Sequence, residues 1–181
     1  MTKIKVKKIK LGIVGGGTGS WIGHVHRIAA RFDDQYEIVS GVFSRNTKNS
    51  SKFGESLGID RERCYSDYKN MANLEAKRAD GIDVVAIMTP PGSHQIIAET
   101  FINKNINIIS DKPFAGNLKQ AKSLFKKIKS NKKIKYALTH NYSAYPMVRE
   151  AKVLIEKGKI GKIEYVNVEY IQDWSGGTKI N

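Results

Sequence analysis

Between Leu11 and Gly23 an apolar run breaks into glycines: Leu-Gly-Ile-Val-Gly-Gly-Gly-Thr-Gly-Ser-Trp-Ile-Gly. A short buried strand that ends in a Gly-rich turn and opens a helix presents backbone N–H groups to a phosphate, and the helix N-terminus adds a partial positive charge there. Read from Gly15, the strict G-x-G-x-x-G spacing fails, because its last position is Ser20. With Thr18, Gly19 and Ser20 allowed as extra loop, the order becomes Gly15-x-Gly17 followed by Trp21-Ile22-Gly23. The glycines then serve a tight turn, the close approach of a pyrophosphate and close helix–strand packing. A ligand-free turn would use glycine too, so the surrounding pattern has to decide.

The 181 residues suit one good-sized domain, or one domain and part of a second. No apolar run approaches the roughly 20 residues that span a bilayer, and Met1–Lys10 has no apolar core or cleavage site of a signal peptide. Cys64 stands alone, which excludes an internal disulfide and a multi-cysteine metal site and fits a reducing cytoplasm. Lys and Arg outnumber Asp and Glu by 31 to 17, with lysines clustered at the N-terminus and between Lys119 and Lys135. A basic face can bind nucleic acid. Here no nucleic-acid motif accompanies it and aromatic residues do not interleave with the clusters, so the reading is a solvated lysine-rich surface, with neither nucleic acid nor membrane as partner.

Hydrophobic periodicity predicts strands at Ile9–Val14, Tyr36–Phe43, around Tyr65, Ile82–Met88, Ile106–Ser110 and Lys135–Thr139. Helices are expected at Gly23–Phe32, after Ser44-Arg45-Asn46, at Asp67–Ala79, Ser93–Asn103, Leu118–Ser130 and Tyr145–Lys157. Strands alternating with helices at this spacing imply βαβ units, a parallel sheet and a Rossmann-type doubly wound α/β fold, with ligands at the carboxyl ends of the strands. Gly15, Ser44, Thr89, Asp111 and His140 fall at those ends. The alternation in Lys162–Ile171 predicts one further strand, the first of an α+β domain that stops soon after it begins. The expected division is a dinucleotide-binding domain over 1–143, then a connecting helix and the start of a substrate or oligomerisation domain over 144–181. A lone apolar strand with open edges also predicts self-association, or disorder, after about Gly161, and a homo-oligomer is the expected assembly.

Taken in order, the Gly15–Gly23 loop with His26 three residues on, Thr89-Pro90-Pro91 with His94, Ser110-Asp111-Lys112-Pro113, His140-Asn141-Tyr142 and Gly158-Lys-Ile-Gly161 form one set. The set resembles the Gfo/Idh/MocA family of NAD(P)-dependent oxidoreductases, which includes glucose–fructose oxidoreductase and inositol dehydrogenase. The resemblance covers essentially the whole chain. It implies hydride transfer between a nicotinamide cofactor and a sugar or polyol. Asp111-Lys112-Pro113 is similar to the family's E-K-P motif, with Asp in place of Glu, and makes Lys112 the candidate catalytic group, placed near both nicotinamide and substrate hydroxyl. An ammonium beside a cationic ring is suited to proton exchange; the plain alternative is a solvated turn lysine.

Further residues are read against that resemblance. Gly15, Gly17, Trp21, Ile22 and Gly23 would hold the pyrophosphate, Thr89-Pro90 would brace the cofactor, and His94 would face the cleft or pack as a satisfied core histidine. Asp111 can pair with Lys112, contact a ribose or cap a turn. After the second strand an acidic residue would select NAD and an arginine NADP. The sequence there is Ser44-Arg45-Asn46, which leans toward NADP over NAD. His140, Asn141 and Tyr142 offer donors and acceptors for a hydroxyl-bearing substrate, or form an ordinary polar strand end. His24 and His26 do not share a helix face, so no metal site is expected. The family's later Asp-x-x-x-His segment is missing, so these 181 residues are expected to bind cofactor without turnover. The competing reading is a dinucleotide-binding protein without catalysis.

Overall fold

The computed structural model describes residues 7–171. They divide into two units, Met1–His140 and Asn141–Asn181. The first holds six parallel strands in the order β3-β2-β1-β4-β5-β6. The strands are β1 (Ile9–Gly15), β2 (Tyr36–Val42), β3 (Cys64–Tyr65), β4 (Val84–Met88), β5 (Asn107–Asp111) and β6 (Tyr136–Thr139). Five helices join them: α1 (Trp21–Phe32), α2 (Thr47–Ser56), α3 (Tyr68–Glu75), α4 (His94–Ile102) and α5 (Leu118–Ser130). This is the Rossmann-type doubly wound sheet that the alternation implies.

The two central strands are buried on both faces, as an unbroken apolar strand must be. Val14, Val85 and Ile87 pack with Met71, Phe101 and Leu124 in one core. Leu11, Ile13, Ala86 and Met88 join Ala30 and Phe43 in the other. Side-chain oxygens fix the helix starts: Asn46, Asp67 and Asn117 each accept from the backbone N–H three residues on. Their position, one residue ahead of each amphipathic run, explains why the periodicity found the helices and left their ends to the caps.

The two-residue β3 is too short to be held by its ladder alone. Ser50 Oγ donates to the Tyr65 carbonyl and accepts from Phe43 N at 3.0 Å, fastening β3 to the end of β2. Ahead of it, Arg63 Nε donates to Glu75 Oε1 at 3.0 Å, and Tyr65 Oη donates to the same oxygen at 3.2 Å. Arg63 and Glu75 are both buried. Cys64 is buried beside them, its thiol pushed up first by burial and then by Glu55 and Asp60, which suits a structural residue.

The second unit contains α6 (Pro146–Glu156), preceded by one turn of 3-10 helix at Asn141–Ala144. The predicted strand at Lys162–Ile171 is not formed: residues 163–171 carry no strand or helix. A strand exists only where its N–H and C=O groups ladder with a neighbour, and among the described residues none pairs with this segment. Tyr142 instead packs edge-on against Tyr145 and Tyr170, with centroids 5.8 and 5.7 Å away. Among the described residues no helix is long and apolar enough to cross a membrane.

Removing one member of a buried ion pair strands the other. Glu75→Ala should therefore destabilise the first unit by about 3 kcal/mol, read from chemical denaturation. Burial and the Glu75 carboxylate push the Tyr65 hydroxyl up to about 12. The native state thus holds this proton more tightly than the unfolded chain, so stability is intact below about pH 10 and falls as pH rises toward 12. Tyr65→Phe should flatten that alkaline loss by about 2 kcal/mol in unfolding curves taken across the range.

Candidate functional site

The carboxyl ends of β1, β2 and β4 meet around the glycine loop. Gly15 turns the chain out of β1 with φ +90°, and a Cβ there would lie 2.7 Å from the Met88 carbonyl oxygen. A Cβ on Gly23 would lie 2.3 Å from the Gly16 carbonyl oxygen, so α1 can approach the turn only as glycine, as helix–strand packing requires. Gly17 differs from its sequence reading. Its Cβ would meet the Phe43 carbonyl oxygen at 2.2 Å, so the protein itself, at the end of β2, demands glycine there. The open position is Gly19, with φ +75° and nothing within 4 Å of where a Cβ would stand.

Hydrogen bonds lock the loop onto α1. Ser20 N donates to Gly17 O at 3.0 Å, and Ser20 Oγ caps the helix by accepting from Gly23 N at 3.1 Å. Arg27, one turn further, donates from Nη1 to Gly16 O at 2.6 Å and lies over the Phe53 ring. Burial lowers its affinity for its proton, with Arg31 adding repulsion. Ser20 therefore absorbs the Gly23 amide, and the amides of Trp21 and Ile22 have no protein acceptor among the described residues. Such N–H groups at a helix start are the anion-binding feature the sequence pointed to. Trp21 itself is exposed.

Beside the loop lies a cleft of about 600 Å³. Gly15, Ser44, Arg45, Thr89 and Pro90 line it, together with Ser66, Asp67 and Tyr68, which the sequence reading did not single out. Asp67 caps α3 at 2.9 Å from Asn70 N; a helix-start pattern there was legible, but only the packing of β3 beside β2 carries it to the cleft. Ser44 Oγ accepts from Asn46 N at 3.1 Å, turning the chain after β2 and leaving Arg45 exposed. Ser93 Oγ donates to Pro90 O at 2.7 Å and lies 2.8 Å from Thr89 Oγ1, which closes the turn after β4.

Two expected ligand residues are engaged with the protein itself. His94 is buried, with Nδ1 at 2.7 Å from the Pro113 carbonyl and Nε2 at 2.6 Å from the Thr89 carbonyl, so it packs in the wall rather than lining the cleft. Asp111 Oδ1 accepts from Thr139 Oγ1 at 2.8 Å and lies 3.7 Å from His26 Nε2. Burial pushes the His26 imidazole toward its neutral form, against the pull of Asp111. Among the three sequence readings of Asp111, none named Thr139 or His26 as partner, because α1 and β6 come beside β5 only in the tertiary structure. Lys112 is exposed beyond the end of β5, and its peptide bond to Pro113 is cis. His140 ends the first unit, while Asn141 and Tyr142 open the second, with Asn141 Nδ2 donating to Tyr145 Oη at 3.2 Å. The three do not form one constellation within either unit. Among the described residues no cluster of three His, Cys, Asp or Glu can hold a metal.

A doubly wound sheet with a capped glycine loop at the end of β1 and a cleft at its switch point defines a nucleotide-binding α/β domain. Residues 9–140 match the oxidoreductase family with an NAD-binding Rossmann fold, Gfo/Idh/MocA, and the chain belongs to that family. It is 35% identical over 170 residues to the uncharacterized oxidoreductase YfiI of Bacillus subtilis strain 168, covering 93% of this chain and 43% of that protein. An oxidoreductase structure from Sinorhizobium meliloti is similar with TM-score 0.81 and 48% identity, over 86% of this chain and 43% of that one. An inositol dehydrogenase homolog from Azotobacter vinelandii, complexed with NAD+, matches with TM-score 0.83 and 32% identity, over 87% and 40%. The same homolog has also been solved with NADH and myo-inositol. The chain thus spans less than half the length of these relatives.

At an ordinary helical position, replacing glycine by alanine stabilises. At Gly23 the sign should reverse. Gly23→Ala should destabilise the first unit by about 1–3 kcal/mol, as overpacking does, measured by urea denaturation against the unmutated chain.

Proposed function

We propose that this chain binds a nicotinamide dinucleotide along the glycine loop and the adjoining cleft, as the cofactor half of an oxidoreductase acting on a sugar or polyol. The observation that carries the reading is the pair of acceptor-free amides at Trp21 and Ile22, beside a cleft lined by Ser44 and Arg45. Those amides and the helix dipole suit a pyrophosphate. Thr89 and Pro90 form the opposite wall. The end of β2 carries no carboxylate, and the Arg45 guanidinium can pair with a 2′-phosphate in the planar fork that phosphate favours. On this reading NADP is preferred to NAD.

When bound, the nicotinamide supplies the hydride acceptor or donor. Lys112, exposed beyond β5, holds or moves the proton at Nζ that must leave or join the substrate hydroxyl oxygen. His140 in the first unit, and Asn141 and Tyr142 in the second, each carry a donor or acceptor suited to a substrate hydroxyl. The sugar or polyol class is supported by the myo-inositol complex of the Azotobacter vinelandii homolog. Self-association and a cytoplasmic setting belong to the same proposal.

Calorimetric titration should show NADP(H) binding more tightly than NAD(H), with Arg45→Ala erasing the difference. Equal affinities in the unmutated chain would overturn the NADP preference, and binding of neither would overturn the function itself. In the protein as it occurs in the cell, Lys112→Ala should lower kcat roughly 100-fold with cofactor affinity much less changed. Near-normal turnover would remove Lys112 from the chemistry.

A further inference from the structure

The turns that follow β4 and β5 carry Thr89-Pro90 and Lys112-Pro113, and one buried side chain joins them. His94, the first residue of α4, is 1% exposed. Its Nδ1 lies 2.7 Å from the Pro113 carbonyl oxygen and its Nε2 lies 2.6 Å from the Thr89 carbonyl oxygen. Both partners are acceptors only. The ring therefore stands between two carbonyl oxygens from different turns, with one ring nitrogen within hydrogen-bond distance of each.

No carboxylate forms an ion pair with this ring among the described residues. Glu99, on the same helix, is engaged by Gln95 Nε2 at 2.9 Å and Ser123 Oγ at 3.3 Å. Asp111, on β5, is held by Thr139 and faces His26. The ring's polar partners are therefore the two backbone carbonyls. The same two turns also meet at a second point. A Cβ on Gly116 would lie 3.0 Å from Gly92 Cα, and Gln120 bridges them, accepting from Gly116 N at 3.0 Å and donating to Gly92 O at 3.5 Å.

We infer that His94 is a positioning residue that, held between two backbone carbonyls, clamps the turn bearing Lys112 against the Thr89-Pro90 wall of the cleft. Its importance for Lys112 rests on the proposed function; the clamp itself does not. Loss of either bond frees the Pro113 carbonyl or the Thr89 carbonyl, and the lysine loses its fixed distance from the cleft.

Long-range ¹H–¹⁵N spectra of the ¹⁵N-histidine-labelled 181-residue chain test the clamp, with His94 assigned by the signals missing from His94→Gln. A ring held between two carbonyls should show a slowly exchanging N–H. A His94 ring N–H that exchanges as fast as that of exposed His24 overturns the proposal, and this readout needs no variant to fold. In His94→Phe the backbone amides of Lys112 and Phe114 should shift, and NADPH affinity by fluorescence titration should fall at least 10-fold. Unmoved amides with unchanged affinity would overturn the positioning role. If the unmutated chain binds no NADPH, the functional reading fails, and the ring and amide spectra still decide the clamp.

Discussion

The pairing of β1 with β4 is the constraint on which the rest depends. Leu11 to Gly15 run in parallel register with Val84 to Met88, deep in the sheet, and the chain leaves this pair in opposite directions along it. From β1 it moves outward to β2 and β3; from β4 it moves outward to β5 and β6. Crossovers of one hand then place α1 and α2 against one core and α3, α4 and α5 against the other. A gap must open above the pair, where the two sets of connections diverge. Gly15 and Thr89 both line that gap.

Polar groups around it are arranged so that few are left without partners. Ser20 and Arg27 hold the glycine loop, Ser44 holds the turn after β2, and Ser93 and His94 hold the turn after β4. The amides of Trp21 and Ile22, like those of Thr18 and Gly19 before them, meet no protein acceptor among the described residues. A preorganised wall costs little to order when a ligand arrives. The same economy explains the buried Arg63–Glu75 pair, which anchors β3 so that Ser66 and Asp67 reach the cleft from a two-residue strand.

Charge behaves differently on the two scales. The excess of lysine over acid is a surface property that modestly attracts an anionic ligand. Inside, charge is placed singly and with partners. His26 shows the competition directly: burial disfavours its cationic form while Asp111 favours it, and burial is the larger effect.

The sequence by itself determined the fold. Continuous apolar runs such as Val84–Met88 can be buried only as central parallel strands, and the glycines that follow Val14 mark the turn that ends the first of them. Strand ends, and with them Gly15, Ser44, Thr89, Lys112 and their neighbours, were legible for the same reason: local periodicity stops there. Only the tertiary structure decided which atoms those residues meet. Gly17 answers to Phe43, Asp111 to Thr139 and His26, and His94 to two carbonyls from different turns, because each partner lies on an element distant in sequence. The strand expected at Lys162–Ile171 marks the same limit from the other side. Alternation can make a segment fit for a sheet, but a ladder needs a second strand, and no local pattern supplies one.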